Sequence, residues 1–375
     1  MTRILRAFSM TCLALALVAG PVAGQVTTPI DNTAYGTTSA EFLLLGAGAR
    51  GAALGGAYAA LSTDISALYY NPGGVSQIDH SGAMVSSYTY VDNTRYTWAG
   101  IAIPFSGGAR AFGFQMGNFG FSDQPEYTVE SPDGTGRTYS VAESFIGATY
   151  AQNFSDRFSA GLTGKVIADH LGNVTGRGAA VDFGTSFHAT TGGRPVRASF
   201  VIQNLGTTVR YSGAQLDATT PRAPVPGQVD VPQEGQPASL KTKDYDLPRI
   251  FRVGLAVDAV ASQQARVTVL SEFTQPINNK SGFELGGEIA LSDIGKSGFS
   301  FAGRGSWSYQ PANNIDVGSQ AGFATALSGK EGKQGIAAGA GLAFRHGAFG
   351  LGFDYAWRNV GVLGSTNFFT FNVSW

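Results

Sequence analysis

Gly46-Ala47-Gly48-Ala49-Arg50-Gly51 follows an apolar run and has the G-x-G-x-x-G spacing of a dinucleotide-binding turn. That chemistry also needs a βαβ unit and an acidic residue about 20 positions on. Here Asn71-Pro72-Gly73-Gly74 follows instead, and then patterns of antiparallel hairpins. The glycines therefore read as places where backbones come close. His80, His170, His188 and His346 are scattered with no i, i+4 pair, so no zinc site is expected. Serine is abundant but never falls in a G-x-S-x-G elbow, so a hydrolase nucleophile is not indicated. Cys12 is the only cysteine and lies in the first 25 residues. No catalytic residue, metal ligand or cofactor is expected, and the chain does not read as an enzyme.

The chemistry that remains is that of inward-facing charge, and it depends on the elements that carry it. Of 375 residues, 52 are glycine, and only 14% are charged against about 25% in ordinary soluble domains. Lys+Arg at 25 balance Asp+Glu at 26, which argues against nucleic-acid binding. Hydrophobic residues at 43%, with 25 Phe and 14 Tyr, exclude a disordered chain. Residues 1–24 read as a secretory signal peptide. Arg3 and Arg6 supply the positive end, Met10 to Ala19 an apolar core, and Val22 and Gly24 the small residues before cleavage ahead of Gln25. That apolar core is too short to span a bilayer as a helix. An exported, low-charge chain without a membrane helix leaves a membrane β-barrel as the expected class.

From residue 81 to 375 the sequence runs in segments of about ten residues with a period of two, the length and pattern of transmembrane strands. Phe349, Leu351, Phe353, Tyr355 and Trp357 oppose Gly350, Gly352, Asp354 and Ala356; Phe251, Val253, Leu255 and Val257 oppose Arg252, Gly254, Ala256 and Asp258. Fifteen segments qualify, and setting aside the weakest, 316–327, leaves the even number, fourteen, that bacterial barrels favour. Tight turns are expected at Asp92-Asn93, Ser106-Gly107-Gly108 and Gly192-Gly193, and long loops at 120–138 and 206–246. Lys165, Asp169, Asp182, Arg252, Asp258, Glu272, Glu284, Glu288, Arg304 and Asp354 fall on the small-residue face. They would line a pore or, on the preferred reading, form ion pairs bracing a plug. Gly113, Gly117 and Gly120, among the phenylalanines of the third strand, would either bend the wall open or allow close packing. Phe369, Phe371, Val373 and the final Trp375 resemble the terminal signal by which outer-membrane barrels close.

Residues 25–80 differ in kind: clustered alanine and glycine, a short helix expected over 52–61, and a second over 65–70 capped by Thr63 or Asp64. The segment is too short and apolar to fold alone in water, and reads as a hatch inside the barrel. Its residues Phe42, Gly48, Arg50, Gly55, Gly56, Asp64, Tyr70, Asn71, Pro72 and Gly73 lie in a stretch that resembles the hatch of the PorV/PorQ branch of the FadL superfamily. One departure is Gly73, where that branch usually carries alanine after Asn-Pro. Gln203-Asn204-Leu205-Gly206 and Leu247-Pro248 are weaker matches.

The resemblance implies a fourteen-stranded barrel in the outer membrane of a Gram-negative-type bacterium, with lipid around it. It also implies one of two non-catalytic roles, the first of them the preferred expectation and the second the alternative. PorV-like members shuttle type IX secretion cargo, binding secreted proteins and secretion-system subunits, and the long loops would be the cargo-facing surface. FadL-like members carry hydrophobic small molecules, which the hatch and third strand would contact.

Overall fold

The computed structural model describes residues 36–220, 235–311, 333–361 and 364–375. The signal segment, Cys12 and the candidate strand 316–327 lie outside the described residues. The strands are β1 (Gly82–Thr89), β2 (Arg95–Phe105), β3 (Arg110–Pro125), β4 (Thr138–Ser155), β5 (Phe158–Leu171), β6 (Val174–Thr191) and β7 (Arg194–Gly206). Three short ones follow, β8 (Tyr211–Gly213), β9 (Asp217–Thr220) and β10 (Gln236–Ser239). The second half is β11 (Ile250–Ala261), β12 (Ala265–Pro276), β13 (Gly282–Leu291), β14 (Phe299–Gln310), β15 (Lys333–His346), β16 (Phe349–Asn359) and β17 (Ser365–Ser374).

Fourteen of these, β1–β7 and β11–β17, pair antiparallel with their neighbours all the way round, with β7 joining β11 across the longest connection. Closure is made by β17 on β1, from Gly82↔Ser374 to Tyr88↔Phe368. Trp375 adds a last bond, its N–H donating to the Ser81 carbonyl at 2.9 Å. An up-and-down ring closes antiparallel throughout only with an even strand number, and the fourteen described here meet that condition.

Side-chain alternation fixes the two faces. Phe114, Met116, Ile146, Leu162, Val166, Leu255, Ile289, Leu342 and Phe371 are among many large apolar residues exposed on the outside. A belt of this extent is stable only against lipid, so the wall spans a membrane. Among the described residues no helix is long and apolar enough to do so. Outside aromatics meet across the strands, as Phe353 with Phe371 at 4.9 Å between ring centroids. The tight turns take the backbone conformations that their residues allow: Asp92, Asn93, Ser106, Gly107, Gly108, Gly192 and Gly193 all have positive φ.

Two expectations need correction. β3 and β4 run well beyond the apolar pattern, with rungs Gln124↔Tyr139 and Pro125↔Thr138, so the expected loop 120–138 shrinks to residues 126–137. Beyond the lipid the backbone ladder alone sustains the hairpin, and apolar alternation is no longer required. In the hatch, the helix expected over 52–61 is instead Ala49–Ala53. It stops because Gly55 and Gly56 take φ of 71° and 95°, left-handed conformations that end a helix. The second helix is Ala67–Tyr70. Asp64, not Thr63, prepares its start: its Oδ1 accepts the Ser66 N–H at 2.9 Å.

The core lies where hatch meets inner wall. Phe42, Leu54, Tyr58, Leu61, Leu68 and Val75 of the hatch are buried together with Trp98, Tyr96 and Leu270 of the wall. The third-strand glycines resolve in favour of close packing. A side chain at Gly113 would overlap Leu68, and one at Gly117 would overlap Phe145. β3 keeps unbroken ladders to β2, from Arg95↔Gly120 to Phe105↔Arg110, and to β4 as far as Phe121↔Val141, so no gap opens there.

Candidate functional site: the hatch and its two vestibules

Every connection at the end that carries the C-terminus is short, and this is the turn end; the 126–137 and 207–249 connections mark the loop end, which also has the short turns 90–94 and 172–173. The hatch lies between, and a cavity stands on each side of it. The turn-end cavity, about 430 Å³, is lined by Arg50, Asp64, Arg266, Glu288, Arg304 and Asp354, among others. The loop-end cavity, about 550 Å³, has Phe42, Leu44, Leu45, Tyr70, Tyr90 and Phe119 with Arg252, Asn278, Glu284 and Arg358. Phe119 therefore faces the lumen with Gly113 and Gly117, not the lipid with its neighbours Phe112 and Phe114.

The ten hatch-motif residues all have structural work. Asn71 is fully buried and satisfies its amide completely. Oδ1 accepts the Gly73 N–H at 3.0 Å, and Nδ2 donates to the Ala59 and Thr185 carbonyls and to Ser186 Oγ at 2.9–3.1 Å. Pro72 then opens the turn Pro72–Gln77. This turn lies directly on the wall: a side chain at Gly161 would overlap the Pro72 carbonyl, and one at Gly184 would overlap Asn71. Gly73 is explained in the same way. A Cβ there would stand 2.7 Å from the Gly184 carbonyl oxygen, closer than real contacts allow, so alanine would have to move the turn. Tyr70 lies edge-on to Tyr58 at 5.1 Å and to Tyr69 at 4.9 Å, and leaves no room for a side chain at Gly51. Phe42 meets Phe145 of β4 at 6.1 Å. Gly48, at φ 82°, turns the chain into the first helix, where the Ala49 N–H donates to Thr370 Oγ1 of β17 at 2.8 Å.

Arg50 is the electrostatic pin. Its Nε and Nη2 donate to the two oxygens of Glu288 on β13, both at 2.8 Å, while Nη1 donates to Asp64 Oδ2 at 2.9 Å and to the Tyr58 hydroxyl at 3.1 Å. Two-pronged Arg–carboxylate bonding of this kind fixes geometry as well as charge. Burial pushes the Asp64 carboxyl up, but Arg50 and bonds from Ser66 and Tyr58 hold it below the ordinary carboxylate range. Burial, and then the Asp64 charge, push the Tyr58 hydroxyl well above its usual value, keeping it neutral and donating to Asp64 at 2.6 Å.

The inward charges divide into groups that brace the hatch and groups that brace the wall. Arg304 joins Glu288 at 2.7 Å to Asp354, extending the Arg50 cluster over β13, β14 and β16. Arg252 pairs with Glu272 at 3.0 Å, and Glu272 also accepts the Ala59 N–H of the hatch at 2.9 Å. Lys165 pairs with Asp182 at 2.9 Å and also meets Asn204, whose own N–H donates to Asp182 at 2.8 Å. Asp258 takes Arg197 and the Thr268 hydroxyl. Asp169 accepts the Tyr211 hydroxyl at 2.8 Å, while Glu284 accepts, among the described residues, only the Thr274 hydroxyl at 3.2 Å.

Sequence reading missed several members of this lumen, among them Arg197, Gln203 as a side-chain partner of Arg252, Arg266, Glu143, Asn278 and Arg358. Their strand positions put Arg197 and Arg358 on the inner face by the same alternation that revealed the others. Asn278 sits in the connection between β12 and β13, where period two gives no signal.

No protein-family model and no curated protein matches this chain. Solved structures do match in shape. The monoaromatic hydrocarbon channel CymD superimposes with a TM-score of 0.52 at 12% identity, over 88% of this chain and 97% of that one. A Pseudomonas aeruginosa FadL homologue gives 0.51 at 10% identity, over 88% and 98%. The toluene transporter TbuX of Ralstonia pickettii gives 0.50 at 11% identity, over 89% and 98%. Likeness at this identity is likeness of fold, and the fold of this chain is accordingly the FadL-like one, a closed fourteen-stranded antiparallel barrel.

Proposed function

We propose that this chain is a non-catalytic outer-membrane channel that admits small hydrophobic molecules, exported by a signal peptide at residues 1–24 and closed in the membrane through its Phe369–Trp375 terminus. In this orientation the turn end faces the periplasm and the loop end the exterior, as short periplasmic turns require. The observation that carries the reading is the loop-end cavity. Its volume of about 550 Å³ is that of a small-molecule site, and Phe42, Leu44, Leu45, Tyr90 and Phe119 give it an apolar side held on rigid elements. The FadL-like fold supports it, since solved barrels of that shape include a monoaromatic hydrocarbon channel and a toluene transporter. The second reading, a shuttle for secreted proteins, draws on the resemblance of the hatch motif to the PorV/PorQ branch. Every residue of that motif is accounted for by holding the hatch in place, which either role would need.

The test is flux of labelled toluene into proteoliposomes. Entry should exceed that of protein-free vesicles and fall several-fold for Phe119→Glu, which places a charge in the loop-end cavity. Flux no greater than in protein-free vesicles, together with recovery of a secreted protein after cross-linking the native barrel, would replace the channel reading with the shuttle.

A further inference from the structure

Two acceptor atoms of residues that line the loop-end cavity have no partner among the described residues. Asn278, 6% exposed, is oriented by its amide N–H groups, which donate to Thr38 Oγ1 at 2.9 Å and to the Glu41 carboxylate. That orientation leaves Oδ1 as a buried acceptor with no partner among the described residues. Glu284, from the same β12–β13 hairpin, uses Oε1 to accept the Thr274 hydroxyl, and its Oε2 is likewise buried and unpartnered. Both residues line the cavity. A buried acceptor without a donor carries a desolvation penalty that an incoming donor relieves.

The charges facing the cavity favour a cationic donor. Glu143 of β4 adds a second acidic side chain to that of Glu284. Of the two arginines, Arg252 is taken up by Glu272 and by Gln203 Oε1 at 3.0 Å, while Arg358 forms no ion pair among the described residues. The opposite side of the cavity is apolar, with Phe42, Leu45 and Phe119.

Resting on the hydrophobic-channel reading, we propose that this vestibule selects small aromatic molecules bearing a hydrogen-bond donor, protonated amines above all, with the ring against Phe42 and Phe119 and the head donating to Asn278 Oδ1 and Glu284 Oε2. The selectivity resides in acceptors set by one hairpin, within an otherwise apolar entry.

Full-length protein in lipid nanodiscs is titrated with benzylamine, benzyl alcohol and benzoate, with empty nanodiscs as the blank. Benzylamine should bind tightest and benzoate weakest, about tenfold apart, the size of one charge-assisted hydrogen bond gained or a like charge met. Glu284→Gln should weaken benzylamine about fivefold and change benzyl alcohol less than twofold; Asn278→Leu should weaken both. Heat-modifiable gel migration verifies that each variant is folded, and the wild-type ligand order stands as a test without any variant. Equal affinity for the three, or benzoate tightest through Arg358, would overturn the inference while leaving the channel reading intact. Absence of binding with toluene flux preserved overturns it as well; loss of toluene flux removes the channel reading itself.

Discussion

The two sides of the hatch contrast in how they treat charge. On the turn side, Arg50, Asp64, Glu288, Arg304 and Asp354 form a closed set in which each carboxylate accepts from a cation or hydroxyl at hydrogen-bond distance. Arg266 stands at the edge of that set, its Nε unpartnered among the described residues, while on the loop side Asn278 and Glu284 each keep a buried oxygen with no donor among the described residues. A completed network locks parts together, because removing any member strands its partners away from water. An incomplete one stores a capacity to bind, because an incoming donor relieves a desolvation penalty already present. The turn side thus reads as the hatch's anchor and the loop side as its receptive face.

The contrast can be broken most severely at Arg50. Arg50→Ala takes the cation from Asp64 and leaves Glu288 with one close cation, at a cost of about 3–5 kcal/mol for a buried pair. Limited proteolysis should then cut residues 41–77 while the barrel keeps its heat-modifiable migration; a hatch as resistant as wild type would deny the pin its role. Gly184→Ala tests the seat rather than the pin. The new Cβ would stand 2.8 Å from Pro72 Cδ, and displacement of the Asn71-Pro72 turn should cost about 1–3 kcal/mol in the thermal unfolding of the hatch.

Asp64 makes the turn side acid-sensitive. Its carboxyl is held below the ordinary value in the folded state, so its contribution is full above the unfolded pKa near 3.9 and is lost as pH falls through the folded value. Protease resistance of the hatch should therefore fall as pH drops below about 4, and Asp64→Asn should flatten that part of the profile. The smallest effect is expected on the loop side. Glu284→Gln removes a buried charge that no ion pair completes, so thermal stability should stay within about 0.5 kcal/mol of wild type or rise slightly. A loss as large as that of Arg50→Ala would mean that the two sides are built alike.

Much of the wall was legible from residue order. Alternation assigned Leu255 outward and Arg252 inward without error, because in a strand the side-chain period is fixed at two and lipid penalises any charge on the outer face. The ten inward charges were found in the same way. Alternation carries no information where the ladder leaves the membrane, and so the β3–β4 hairpin ran further than expected. It carries none in the hatch either, where Gly55 and Gly56 ended a helix earlier than alanine content suggested.

The sequence by itself therefore determined the class of the molecule: a glycine-rich, charge-poor barrel of fourteen strands around a small hatch. Those features are local, set by backbone periodicity, by turn residues and by the exclusion of charge from lipid. Only the tertiary structure decided which charge meets which. Arg50 lies 238 positions from Glu288 along the chain, and no spacing rule relates them. It also decided which atoms are left without a partner among the described residues, as Asn278 Oδ1 and Glu284 Oε2 are. Pairing and its absence are properties of the closed lumen, where loops and strands distant in sequence are brought together.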